Sequence, residues 1–188
     1  MKYFIASDIH GSAYWCEKML ESFEASRAEK LILLGDLLYH GPRNDLPRSY
    51  DTKAVTAMLN EHRKEIIAVR GNCDSEVDQM VLDFPILADF AWLRLPDFSI
   101  FATHGHIYND EEENRMPQIS EGDCLLHGHI HLPEAEEKRS REGFRYYLLN
   151  PGSVSLPKGG NPNSYAVLDG REFFVSDFSG NRIKGIRI

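Results

Sequence analysis

The first 72 residues alternate between short apolar runs and longer amphipathic stretches, and this alternation constrains the fold more than any other feature. The apolar runs read KYFIAS, KLILLGD and EIIAVRGN. Between them, residues 13–27 and 52–64 carry apolar side chains at helical spacing. A β-α-β-α-β order requires parallel strands joined by crossover helices, so the sequence predicts a layered α/β fold.

The rest of the chain has a different texture. Short strand-like runs are separated by turn residues, and helical periodicity is weak apart from a short piece near Asp110 to Met116. The runs read SIFATHG, DCLLHGHIH, FRYYLLNPGS, SYAVLD and EFFVSDF. We expect a second, mostly β layer packed on the first. The sequence contains no stretch typical of a linker, so a single domain over residues 1–188 is predicted.

Charge and cysteine usage narrow the function classes. The chain carries 29 acidic and 21 basic residues, for a formal net charge of −8. This argues against duplex nucleic acid or an anionic membrane as the main partner, since both favour basic surfaces. The three cysteines (Cys16, Cys73 and Cys124) form no CxxC pair, which indicates a reducing, cytoplasmic location. No apolar run approaches the ~20 residues of a membrane span.

Polar side chains with metal-binding chemistry follow five of the predicted strands. They are Asp8 and His10, Asp36, Asn72 and Asp74, His104, and the pair His129 and His131. In open α/β sheets, ligands bind outside the carboxyl ends of the strands. We therefore expect these segments to deliver their side chains to one edge of the fold.

The donor types predict which metals the edge could hold. Mixed nitrogen and oxygen donors suit Mn, Fe, Co, Ni or Zn better than Ca or Mg, which prefer oxygen alone. Seven of these side chains, all except Asp74, are the candidate donors, which is too many for one ion, so two ions sharing a carboxylate are predicted, with Asp36 as the bridge. Each short motif alone is typical of an ordinary turn, and only the ordered set indicates a metal centre.

In the order D-x-H, GD, GN-x-D, H-G-H, G-H-x-H, the chain resembles the calcineurin-like metallophosphoesterase superfamily. The stretches HGPRNDLP, VRGNCDSEVDQM and NPGSVSLPKGGNP resemble its YfcE-type group of small bacterial phosphodiesterases. The resemblance runs from Met1 to about Asp169. It implies an α/β/β/α sandwich with mixed sheets and a metal site at the carboxyl ends of the strands.

The resemblance also implies roles for individual residues. One ion would take Asp8, His10 and His131, the second would take Asn72, His104 and His129, and Asp36 would bridge them. Asp8, His10, Asp36 and Asn72 are the expected catalytic residues. The implied cofactors are two divalent ions, with Mn favoured, that hold a hydroxide for attack on a phosphodiester. His127 and His106 are expected behind the ligands.

The chain departs from many members of the superfamily at one position. Those members read GNH before an acid, and that histidine is taken to assist the leaving group, whereas this chain reads GNCD with Cys73. A thiol is a poor general acid for an alkoxide, so leaving groups of low pKa should be preferred. Arg43, Arg70, Cys73 and Asp74 are the expected substrate-binding residues, and the backbone of NPGSVS is a further candidate for anion binding.

Two alternatives stay open. The chain could be a phosphomonoesterase or nucleotide phosphohydrolase of the same fold, with a small phosphate ester as its partner. The fold also serves as a non-catalytic protein-binding scaffold in a retromer subunit, although this chain keeps every expected ligand type. The edge strands of the second half leave a homo-oligomer open.

Overall fold

The structure, a computed structural model, describes residues 1–110 and 115–188. Two helices and three strands form the first half, as the alternation predicts. The helices are α1 (Ala13–Ser26), α2 (Thr52–Glu61) and a single turn, α3 (Glu76–Gln79). The strands are β1 (Lys2–Ala6), β2 (Lys30–Leu33), β3 (Ile66–Ala68), β4 (Phe90–Arg94), β5 (Ser99–Thr103), β6 (Cys124–Leu126), β7 (Pro133–Arg139), β8 (Arg145–Pro151), β9 (Ser164–Asp169), β10 (Glu172–Asp177) and β11 (Arg182–Arg187).

The helices begin where the sequence provides caps. The Ser12 side chain accepts a hydrogen bond from the Trp15 N–H at the start of α1, and Asp51 does the same for Ala54 at the start of α2. These caps satisfy backbone donors that have no partner within the helix. The crossover helices leave β1, β2 and β3 parallel, which confirms the predicted β-α-β-α-β unit.

Two mixed sheets face each other. The first has the order β11-β10-β9-β1-β2-β3, and the second has the order β4-β5-β6-β8-β7. In the first sheet β9 runs antiparallel to β1, whereas in the second sheet β6 runs parallel to both β5 and β8. The expected mixed-sheet α/β architecture is therefore confirmed.

Alternation along the strands separates two main cores. On β1, Phe4 and Ala6 pack with buried side chains of α1 and α2, while Tyr3 and Ile5 point toward the second sheet. Because successive side chains of a strand face opposite sides of the sheet, the central strands are buried on both faces. A smaller cluster around Phe101 covers the outer face of the second sheet.

Three strands were absent from the sequence-based prediction, namely β4, β7 and β11. The β7 sequence, PEAEEKR, exposes charged side chains, and each of the three lies at a sheet edge. The predicted short helix near Asp110 to Met116 falls largely on residues 111–114, which lie outside the described residues. Arg115 just beyond them forms an isolated bridge with Tyr108.

Across residues 1–110 and 115–188, no helix combines the length and apolar character needed to cross a membrane.

Candidate metal centre

Five of the predicted metal-binding residues have backbone conformations that residues other than glycine rarely adopt. Their φ angles are positive: Asp8 59°, His10 49°, Asp36 54°, His129 67° and His131 61°. Non-glycine residues in this region carry strain of about 1–3 kcal/mol each, and such strain clusters at functional sites. The loops after β1, β2 and β6 are thus bent in a costly way that brings their side chains toward one another.

Asp8, His10 and His131 form what we call the buried half of the centre. Asp8 is fully buried, and His10 and His131 are 1% and 3% exposed. Asp8 Oδ1 lies 3.1 Å from His131 Nε2 and 3.6 Å from His10 Nε2. Within the described part of the chain, Asp8 Oδ1 has no hydrogen-bond partner. A buried carboxylate oxygen without a partner is costly unless a cation or a proton is close to it.

The tautomers of the two histidines strengthen this argument. His10 Nδ1 lies 2.8 Å from the Tyr39 carbonyl oxygen, and His131 Nδ1 contacts the carbonyl of Leu156. A carbonyl only accepts hydrogen bonds, so each Nδ1 carries a proton, and each ring would offer a lone pair at Nε2 to a metal ion once that nitrogen is free of its proton. The two Nε2 atoms are 3.4 Å apart. Two lone pairs facing each other beside a carboxylate fit a shared cation.

Asn72, His104 and His129 form the open half. His104 is fully buried, His129 is partly exposed and Asn72 is exposed. His104 Nδ1 donates to the Leu34 carbonyl at 2.7 Å, which directs its Nε2 inward. That Nε2 lies 3.0 Å from Asn72 Oδ1 and 3.2 Å from His129 Nδ1. As in the buried half, a backbone carbonyl orients an imidazole, but the open half faces solvent.

Asp36 lies between the two halves. Its Oδ2 is 3.8 Å from His10 Nε2 and 3.5 Å from His104 Nε2, so one carboxylate reaches a donor of each half. Its Oδ1 accepts a hydrogen bond from the Cys73 N–H at 2.8 Å. Gly71 is needed here because a Cβ at that position would collide with Asp36. The donor set thus fits two divalent cations that share Asp36.

The distances between possible ligand atoms agree with this geometry, both within the buried half and across the two halves. Asp8, His10 and His131 bring ligand atoms within 4.8 Å of one another, and so do Asp8, Asp36 and His104. Histidine ligands in metal sites commonly donate their second N–H to a backbone carbonyl, as three of these rings do.

Burial and charge act differently on the two halves. Burial would raise the pKa of Asp8, but the imidazoles of His10 and His131 hold that pKa well below its usual range. Burial would lower the pKa of His10, but Asp8 and the Tyr39 carbonyl raise it. In the open half, burial and then the charge of His104 lower the pKa of His129 to about 4. His129 is therefore neutral at pH 7, as a ligand must be.

The Asp74 carboxylate bonds to the protein backbone. Its oxygens accept hydrogen bonds from three backbone N–H groups, those of Asp36 (2.9 Å), Leu37 (2.9 Å) and Gly71 (2.8 Å). Asp74 is also 3% exposed. Asp74 ties the loop after β2 to the loop after β3 and positions Asp36, and these contacts favour a supporting role over the substrate-binding role predicted for it, which no observation tests.

The other predicted substrate-binding residues lie around the centre at different depths. Arg43 is exposed on the loop between β2 and α2, and Arg70 is partly buried at the end of β3. Cys73 is partly buried, and burial, followed by the charge of Asp36, raises the pKa of its thiol. None of these three is shown in contact with a substrate, so their roles stay predictions.

The two remaining histidines of the motifs lie behind the ligands. His127 is buried, with Nε2 3.1 Å from Glu134 Oε2. The His106 ring centroid lies 5.3 Å from that of His104. Burial, and then the charge of His104, lowers the pKa of His106.

Sequence reasoning missed how residues 150–156 support the centre. The Ser153 and Ser155 hydroxyls donate to the Asp8 carbonyl at 3.0 and 3.1 Å, and Asn150 Nδ2 donates to the Gly128 carbonyl at 3.0 Å. The expectation that this backbone faces an anion was wrong, since N–H groups such as those of Val154 and Leu156 bond within the protein. Only the run NPGSVS after an apolar strand could have signalled this role.

The comparison with known proteins covers the residues that form the candidate metal centre. The family model described as the calcineurin-like phosphoesterase superfamily domain matches residues 1–172. The chain belongs to this superfamily. That membership confirms the resemblance drawn from the ordered motifs, and it implies divalent metal ions for a centre of this kind.

Relatives share most of their length with the chain. Phosphodiesterase YfcE of Escherichia coli strain K12 is 51% identical over 169 residues, which cover 90% of this chain and 88% of YfcE. The solved structure of the E. coli phosphoesterase YfcE aligns over 100% of both chains with a TM-score of 0.94 and 46% identity. The probable metallophosphoesterase YsnB of Bacillus subtilis is 27% identical, covering 100% of this chain and 97% of YsnB.

Proposed function

We propose that the chain is a metal-dependent phosphodiesterase with two divalent ions, of which Mn²⁺ fits the mixed nitrogen and oxygen donors best. The observation that carries the proposal is the buried edge where imidazole lone pairs and the unpartnered Asp8 Oδ1 converge on Asp36. The identity to a relative named as a phosphodiesterase supports a diester substrate. A cytoplasmic location and a single domain over residues 1–188 are part of the same proposal.

The chain's own residues would divide the work as follows. Asp8, His10 and His131 would hold one ion, Asn72, His104 and His129 would hold the other, and Asp36 would be shared between them. Bound together, such ions supply a nucleophile from water near neutral pH and offset charge on the phosphoryl oxygens. Carbonyls from Tyr39, Leu34 and Leu156 fix the imidazoles so that their lone pairs are already aligned.

The open half of the site faces solvent, since Asn72 is exposed and His129 is partly exposed. The neutral thiol of Cys73 stands where many members of the superfamily have histidine. A thiol with a raised pKa gives up its proton reluctantly to a departing alkoxide. Arg43 and Arg70 are the cations that we assign to the phosphate oxygens of the diester. We therefore expect activated diesters to be the best substrates.

The scaffold alternative receives no specific support. The solved structure of Vacuolar Protein Sorting 29 from Cryptosporidium parvum has a TM-score of 0.60 at 15% identity, a likeness of fold alone. This chain carries the full set of donors, held by backbone carbonyls in lone-pair-inward orientations, and a scaffold has no need of them.

Metal removal tests the proposal directly. The protein is stripped with a chelator, reloaded separately with Mn²⁺, Ni²⁺, Zn²⁺, Fe²⁺ or Mg²⁺, and assayed on matched aryl phosphomonoesters and phosphodiesters. We expect activity to vanish on stripping, to return best with Mn²⁺, and to favour diesters. Diesterase activity that survives complete chelation would contradict the metal dependence, and a preference for monoesters would contradict the substrate class.

A further inference from the structure

Cys73 lies against the centre and offers a donor of a different chemical type. Its backbone N–H donates to Asp36 Oδ1 at 2.8 Å, which holds the residue beside the bridging carboxylate. Its Sγ accepts a hydrogen bond from Asn72 Nδ2 at 3.3 Å. Sγ, a His10 ring nitrogen and an Asp36 oxygen all lie within 4.8 Å of one another.

Two observations place this grouping at the edge that fits a cation. The side chains of His10 and Asp36 are 1% and 4% exposed, so their polar atoms cannot be satisfied by bulk water. Asp8 Oδ1, next to His10, is buried without a hydrogen-bond partner among the described residues. Cys73 is therefore a third side chain at a site that already demands positive charge.

Metal softness separates what Cys73 can do from what the other donors do. Thiolate selects thiophilic ions, whereas carboxylate and imidazole also serve harder ions such as Mn²⁺. Cys16 and Cys124 are fully buried within the two main cores. Among the three cysteines, Cys73 is the one placed to report or select the bound metal.

We propose that Cys73 is a metal-selective ligand, which coordinates thiophilic ions such as Co²⁺, Zn²⁺ or Cd²⁺ together with His10 and Asp36 and stays a free thiol with Mn²⁺ or Mg²⁺. On coordination the S–H bond breaks, a sulfur–metal bond forms and the proton passes to solvent, with no change of oxidation state. This inference rests on the proposed metal centre. It adds a consequence: thiophilic ions bind more tightly than Mn²⁺ but engage a residue on the substrate side, so they lower turnover.

The decisive experiment is the absorption spectrum of the stripped full-length protein titrated with Co²⁺, in the wild type and in Cys73→Ser. Visible d–d bands report binding of Co²⁺ at the centre, whereas a near-ultraviolet thiolate-to-cobalt band reports coordination by sulfur. We expect both bands in the wild type, and only the d–d bands in Cys73→Ser. Circular dichroism verifies that the variant is folded.

Calorimetry gives a second readout that is independent of activity. Cys73→Ser should weaken Cd²⁺ binding by at least about 10-fold and change Mn²⁺ binding by less than about 3-fold, because only the soft ion loses a favoured donor. Visible bands without a sulfur band would overturn the role of Cys73 and leave the proposed function standing. Absence of any Co²⁺ binding would overturn both.

Discussion

The two halves of the centre use the same donor chemistry in different surroundings. In the buried half, Asp8, His10 and His131 are almost inaccessible to water, whereas the open half combines the fully buried His104 with a partly exposed His129 and an exposed Asn72. Donors that cannot be hydrated depend on a cation more strongly than donors that water can satisfy. We infer that the buried half binds its ion tightly and that this ion mainly stabilises the structure. We infer that the open half exchanges its ion more readily and contacts the substrate.

Removing the group shared by the two halves should have the largest effect. Asp36→Asn abolishes the bridging charge, and we expect diesterase activity to fall by at least about 1,000-fold, the upper range for loss of one preorganised electrostatic group. Bound Mn²⁺, counted by mass spectrometry after dialysis, should fall below two ions per chain. The exposed Asp45→Asn is the matched control. An Asp36→Asn protein that retains both ions and its activity would refute the bridging role.

The open half should show its chemistry in the choice of leaving group. Because the Cys73 thiol is a weak proton donor, rates on aryl phosphodiesters should fall by about 100-fold or more as the leaving-group pKa rises, the range attributed to a missing general acid. Cys73→His should flatten this dependence. Initial rates on a graded series provide the measurement. A flat series for the wild type would show that another group protonates the leaving alkoxide.

A pair of single substitutions then compares the halves directly. His131→Ala removes a donor from the buried half and should weaken the tighter Mn²⁺ step by about 100-fold, while Asn72→Ala should weaken the looser step by about 10-fold. Two-step calorimetric titrations of Mn²⁺ separate these effects, with His62→Ala at the end of α2 as the control. If Asn72→Ala affects the tighter step instead, the order of the halves is reversed.

The pH dependence of metal binding should also differ between the halves. Asp8 raises the pKa of His10, so an ion entering the buried half must displace a proton, and its affinity should drop by about 10-fold per pH unit below that pKa. The pKa of His129 is about 4, so proton competition at His129 should not weaken metal binding until far lower pH. Metal titrations at a series of pH values test the contrast. Equal pH slopes for the two metal-binding steps would show that the halves do not differ in this way.

The same shifts set the stability of the metal-free protein. The lowered pKa of Asp8 contributes stability above the unfolded value of about 4, which is lost as pH falls through the folded pKa. The raised pKa of His10 contributes stability below the unfolded value of about 6.5, which is lost as pH rises through the folded pKa. The stripped protein should gain most from this pair between those two values.

The comparison also shows what the sequence could and could not reveal. The donors were predictable because each follows an apolar run that reads as a strand, and topology brings the ends of those strands together. The carbonyls of Tyr39 and Leu156 and the hydroxyls of Ser153 and Ser155 were not, because they belong to residues with no distinctive chemistry. Ser155 meets Asp8 from 147 positions away along the chain.

Two of the missed strands, β7 and β11, share a physical cause, whereas nothing in the apolar sequence of β4, FAWLR, explains why it was missed. Strands β4, β7 and β11 lie at sheet edges, where one side of the strand faces solvent and charge discourages pairing with other chains. An edge sequence such as PEAEEKR therefore lacks the apolar pattern on which strand prediction depends. Central strands were predicted because strands that are buried on both faces have nearly continuous apolar sequences.

The smallest expected effect concerns Asp74, whose carboxylate accepts a hydrogen bond from the backbone N–H of Asp36, the residue between the two halves. Asp74→Asn leaves one acceptor oxygen where three backbone N–H groups now bond, so we expect a loss of about 1–3 kcal/mol in the free energy of unfolding. Because Asp36 is displaced only slightly, Mn²⁺ affinity should fall by about 10-fold. Urea denaturation and calorimetry measure the two, against the exposed Asp83→Asn. If affinity falls while stability is unchanged, Asp74 acts on the ions directly and not through the position of Asp36.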